Sequence, residues 1–233
     1  MANQEHVKLA SSGPDALDSW RENNPDAKLD LEGADLSGVN LAGTKIHEAN
    51  LKGANLTKAR LSKANLAGSD LTGADLSEAD FGQAGMAGVD LSGATVNNVN
   101  FFWTDMKGAS MKGAEVKGCR MNRVNLIGAD LTNADFSQSN MIEADLRNTN
   151  MTNTRFHSSM MNGADLSRAN MVGADFHLAM IRDSMWVATD VRGASFTQAS
   201  LHRSDFNLAK WDKTTTFPDN FDPENTGPKD VNE

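Results

Sequence analysis

Few side chains in this 233-residue sequence combine reactivity with a regular spacing. There is one cysteine, Cys119, and there are five histidines: His6, His47, His157, His177 and His202. His157 and His177 stand 20 residues apart in equivalent surroundings, Phe-His in each case. A fold that returned to the same place every 20 residues would set the two imidazoles about 5 Å apart, where they could share a soft divalent metal near Asp175. No third ligand follows that spacing, so the expectation is a pair of surface histidines with no bound metal and no other cofactor. There is no GxxxxGK[ST] phosphate loop, and no serine or aspartate forms a motif with a nearby base. The expectation is therefore that the chain is not an enzyme. A second group suggests recognition. Phe102 and Trp103 are adjacent, Arg120 and Arg123 follow about one 20-residue interval later, and Ile142, Met160 and Met180 come after them. Aromatic rings beside arginines dominate binding hot spots.

What could place residues 20 apart side by side? Apolar residues recur at every fifth position, from Leu31, Leu36, Leu41 and Ile46 through to Val191, Phe196, Leu201, Phe206 and Trp211. All 37 positions of this series are Leu, Ile, Val, Met, Phe or Trp; each is called a centre below. The residue two before a centre is small or short, as in Ala34, Val39, Thr44 and Ala49, and Cys119 falls in this slot. A thiol there takes the place of an alanine in a buried position, where it is inert. The residue just before a centre is mostly Asp or Asn, and 15 of the 19 glycines lie two after one.

Neither regular element tolerates a strict period of five. On a helix, successive centres would drift by about 140° and make no stripe. On a continuous strand an odd period would throw them to alternate faces. The chain must change direction once per repeat, with the centre and the small residue pointing inward and glycine serving the corner. Each repeat is then one short side of a closed polygon, and stacked polygons form a parallel β-helix. Phe136, Phe156, Phe176 and Phe196 recur every 20 residues, as do Phe81 and Phe101, which predicts four sides per coil. About nine coils follow, and a rod roughly 44 Å long.

The repeat Ala34-Asp35-Leu36-Ser37-Gly38 resembles the pentapeptide-repeat family, and 37 tandem copies cover about 181 of the 233 residues. The resemblance implies an all-β chain folded as a right-handed quadrilateral parallel β-helix. It divides the chain into an N-terminal segment with a short capping helix (1–28), the β-helix (29–211), and a C-terminal cap with a disordered acidic tail (212–233), the disorder starting near residue 225. Ser12-Gly13-Pro14 opens the capping helix, with Leu17 and Trp20 on one face above the first coil. Trp211, Phe217 and Phe221 would cover the other end. Ends left open would associate, so a monomer or an end-to-end dimer is expected.

Composition narrows the setting. Leu, Ile, Val and Phe make up about 19% of the chain. That would suggest disorder in an ordinary sequence but suits a coil one side chain thick. No apolar run approaches the roughly 18 residues of a membrane span, the N-terminus lacks the marks of a signal peptide, and a single cysteine fits a reducing compartment. The chain is expected to be cytoplasmic and to bind neither membrane nor nucleic acid directly.

The resemblance also brings a partner, since quinolone-resistance members of the family bind DNA gyrase by imitating duplex DNA. Such mimicry needs regular negative charge along the rod. The formal charge of −9 is elsewhere: residues 31–211 carry 19 acidic and 17 basic residues, and the flanks hold the rest of the excess. The side carrying Leu41 is net positive by three, with Arg60, Lys63, Arg120, Arg123, Arg182 and Arg203 against Asp80, Glu143 and Asp183. The period never slips to admit the loops that gyrase-binding relatives often have. The favoured expectation is a rigid rod that recognises or scaffolds a protein partner of unknown identity, through Phe102, Trp103, Arg120, Arg123, Ile142, Met160 and Met180. Gyrase modulation is the alternative.

Overall fold

The computed structural model describes residues 2–219, 221–222 and the backbone of 229–230. Its body is a four-sided parallel β-helix. Residues just before the centres pair in parallel with those 20 positions on, from Asp30 with Asn50 to Asp190 with Lys210. The hydrogen bonds run along the rod. The Leu31 amide donates to the Asn50 carbonyl at 2.7 Å, the Gly33 amide to the Lys52 carbonyl at 2.8 Å, and the Asn50 amide back to the Leu29 carbonyl at 2.8 Å. The same set recurs coil after coil, so the backbone polar groups are satisfied although each side is only a few residues long.

Most corners are tight turns closed by a bond such as that from the Ala34 amide to the Leu31 carbonyl, 3.0 Å, while the Ala49 and Cys119 amides donate to the hydroxyls of Ser69 and Ser139 instead. The third residue of the turn has positive φ, as in a type II turn. Every corner slot from 33 to 208 adopts this conformation: 15 glycines, as expected, and 21 other residues. The preference for Asp or Asn before a centre also has a local cause. Its side-chain oxygen accepts the amide two residues on, as Asp35 does from Ser37 at 3.1 Å, and so pins the start of the turn. Asn side chains further bridge coils, as from Asn55 to Asp35 at 3.0 Å.

The centres fill the interior; Phe81, Phe101, Phe136, Phe156, Phe176, Trp186, Phe196 and Phe206 are all fully buried. Phe136, Phe156, Phe176 and Phe196 stack with centroids 5.5, 4.9 and 5.0 Å apart in turn. Some hydroxyls in the small slot reach a centre carbonyl one coil back, as Thr104 to Phe81 and Ser139 to Val116, each at 2.8 Å, while those of Thr44, Thr149 and Thr189 bond the centre three residues before. Cys119 also reaches one coil back, its Sγ 2.8 Å from the Val96 carbonyl oxygen.

Two helices cover the first coil, one more than the expected single cap. α1 spans Gln4–Ser11 and α2 spans Pro14–Asn23. Asn3 caps α1 by accepting the Glu5 amide at 2.9 Å, and His6 Nδ1 accepts the Asp30 amide at 3.0 Å on the edge of the rod. α2 buries Leu17 and packs Trp20 against the core. Its Arg21 is buried and donates to the carbonyls of Lys45, Asn24, Pro25 and Ala27, which ties helix, linker and coil together.

At the other end the period slips once, after Trp211. Ser195 pairs with Thr216, 21 residues on, and this brings Phe217 onto Phe196 at 5.5 Å. Phe221 then stacks on Phe217 at 5.1 Å, and Trp211 meets Phe217 edge-on at 6.0 Å. β1 (Lys210–Trp211) pairs in parallel with β2 (Lys229–Asp230). The other residues of the segment read as a disordered tail lie outside the described residues.

Candidate functional surface

Because the fold returns every 20 residues, residues far apart in sequence become neighbours on one flat side. On the side whose centres include Leu41, Phe101 and Met121, the chain sets Phe102 and Trp103 beneath Arg120 and Arg123. The two rings lie nearly parallel, 8° apart, with centroids at 6.1 Å. The Arg120 guanidinium sits over the Phe102 ring at 4.6 Å and that of Arg123 over Trp103 at 5.9 Å. Cation–π contacts of this kind are worth about 0.5–1 kcal/mol when exposed, and they hold a guanidinium flat with its N–H groups turned outward. Arg123 Nε also donates to Glu143 Oε2 at 2.7 Å, an ion pair open to solvent on both sides. No ion pair is formed by Arg120 among the described residues.

Trp103 is 54% exposed and sits at a corner with φ of +56°. A bulky residue in that conformation costs of the order of 1–2 kcal/mol, and exposing the indole forgoes the gain from burying it. The stacked guanidinium of Arg123 returns less than those two costs together.

The remaining members of the set are more scattered. The Ile142 carbonyl accepts the Arg123 amide at 2.9 Å, so Ile142, half-buried, lies one coil beyond the arginines. Met160 and Met180 pair with one another further along. Met180 is exposed and Met160 half-buried. Three exposed apolar residues fall outside the expected set: Leu178, Met185 and Leu208. Leu178 and Leu208 occupy corner slots like that of Trp103, with φ of +60° and +59°. Their signal is present in the repeat, as leucine where glycine or asparagine is at ease.

Other chemistry is muted. Burial pushes the Cys119 thiol up to about 12, so it stays protonated and unreactive. Burial opposes the charged form of Asp135, yet the Ser137 hydroxyl and amide and the Lys117 ammonium hold its carboxyl below the usual range. Asp130 behaves alike through Thr132 and Lys112. His157 and His177 stack at 5.2 Å, as their spacing required, on a different side from Trp103. Among the described residues no helix is long and apolar enough to cross a membrane.

A family model described as pentapeptide repeats matches the chain in overlapping stretches from residue 28 to residue 184. Among solved structures, the chain is similar to a trypsin-treated form of QnrB1, a plasmid-mediated fluoroquinolone resistance protein. The two are 19% identical over 75% of this chain and 90% of that one, with a TM-score of 0.66. A second trypsin-treated QnrB1 gives 17% identity, coverage of 80% and 87%, and a TM-score of 0.53. HetL, a pentapeptide repeat protein involved in heterocyst differentiation regulation from the cyanobacterium Nostoc sp., is 23% identical over 81% of this chain and 91% of its own, with a TM-score of 0.45. At these identities the likeness concerns the fold. No curated protein matches the chain.

Proposed function

Since the chain belongs to the pentapeptide-repeat family, we propose that it is a non-enzymatic, cytoplasmic rod that recognises or scaffolds a protein partner through the side bearing Phe102, Trp103, Arg120 and Arg123. The observation that carries this reading is Trp103, exposed and held in a left-handed backbone conformation beneath a stacked arginine. Ile142, Met160 and Met180 extend the surface along the rod. The net positive charge of this side favours an acidic patch on the partner and is too weak for duplex nucleic acid. The buried thiol and the turn-bound carboxylates support a non-catalytic role. Replacing Trp103 and Arg123 together by alanine is expected to abolish capture of the partner from a lysate, without changing the melting temperature. Undiminished capture by that variant would rule out this surface.

DNA gyrase is the alternative partner that the family resemblance implies. A nearly neutral rod with a basic side is a poor imitation of duplex DNA. Purified gyrase should therefore keep its supercoiling activity in the presence of micromolar protein. Inhibition would replace the scaffold reading with the gyrase one.

A further inference from the structure

The side bearing Phe156 and Phe176 carries a separate feature, the stacked imidazoles of His157 and His177. Their planes are 24° apart and their centroids 5.2 Å. His177 Nδ1 lies 3.0 Å from the Thr197 carbonyl oxygen. A carbonyl only accepts, so Nδ1 carries the proton and the neutral ring presents the lone pair of Nε2. Metal-binding histidines are commonly oriented in this way, one nitrogen tied to a carbonyl and the other offered as a ligand. The His157 ring has no hydrogen-bond partner among the described residues, and its side chain is half-buried on an open face, so it can turn toward the same point. In the neighbouring column Arg155 lies in backbone register between Asp135 and Asp175, Asp135 is paired with Lys117 at 3.3 Å, and Asp175 Oδ1 accepts the His177 amide at 3.0 Å, so the formal charges beside the pair balance.

We propose that His157 and His177 form a two-imidazole chelate for a borderline divalent transition-metal ion, zinc or copper(II). Nitrogen ligands sit about 2.0–2.1 Å from such ions, so the outer edges of the rings close together on binding. Among the described residues no group of three or more His, Cys, Asp or Glu surrounds one point. Water completes the coordination, and the ion exchanges with solvent. The other histidines have no second imidazole one coil away: His6 Nδ1 is engaged by the Asp30 amide, the residues 20 away from His47 are Ala27 and Ala67, and those 20 away from His202 are Arg182 and Asp222.

Calorimetric titration of the full chain with zinc, and separately with copper(II), in a non-chelating buffer tests the site. One ion should bind per chain. His157→Ala and His177→Ala should each weaken binding about tenfold or more, and His202→Ala should leave it unchanged. Absence of binding, or equal binding by the wild type and both variants, overturns the proposal. The outcome is independent of the partner surface, which lies on another side of the rod.

Discussion

The side carrying Leu31 and the opposite side, carrying Phe101, share one backbone and differ in what stands on it. Of the nine corner slots from 33 to 193 on the first side, seven are glycine and two are asparagine, the residues most at ease with positive φ. On the second side only Gly43 and Gly163 are glycine, and the other seven slots hold Lys63, Gln83, Trp103, Arg123, Glu143, Asp183 and Arg203. The first side shows what the fold needs. The second shows what the fold tolerates for the sake of large and charged side chains. Conformational strain thus separates these two sides, and the side carrying Leu36 resembles the second, with only Gly38 and Gly118 among its nine slots.

Three experiments break or sharpen that contrast. The largest effect comes from the interior that both sides share. Phe176→Ala removes a ring stacked on Phe156 at 4.9 Å and Phe196 at 5.0 Å, and should cost about 3–5 kcal/mol in equilibrium denaturation. A loss below about 1 kcal/mol would mean that the coils collapse around the gap.

Exchange of corner residues gives the next effect. Nothing lies within 4 Å of the Cβ that a substitution at Gly73 would add, so Gly73→Trp should cost only the backbone term, about 1–2 kcal/mol. Trp103→Gly should instead stabilise the rod by a similar amount and eliminate partner capture. If Trp103→Gly destabilises, the indole packs on the rod for structural reasons and the contrast fails.

The smallest effect is a response to acid. Burial opposes the charged forms of Asp130 and Asp190, both on the Leu31 side, yet hydrogen bonds from their turns hold both below their ordinary values. Groups lowered in the folded state stabilise it above the unfolded pKa near 4, and that stability is lost as pH falls through the folded values. The melting temperature should be flat from pH 7 to about 5 and fall below about 4. Asp130→Asn with Asp190→Asn should reduce the acid-induced fall.

Much of this is legible in the sequence because a period of five leaves few choices. The inward series, the 20-residue columns and the meeting of Trp103 with Arg123 all follow from counting. Other features have no such regularity. α1 buries little besides Ala10, so its apolar pattern is faint, and its clearest mark is Asn3 as a cap. Phe217 joins the Phe196 column only because one residue is inserted after Trp211, which counting by fives conceals. Leu178 and Leu208 escape notice when their slot is judged by the glycines that commonly fill it, not by the strain others accept there.

The direction of the backbone hydrogen bonds has a mechanical consequence. A load pulling the two ends of the rod apart acts along those bonds and meets one coil at a time, so it should peel turns from an end like tape from a roll. A load across the rod is shared by many coils at once. A partner bound to a side would therefore be held stiffly, whereas tension applied through the termini would find the molecule's weak direction.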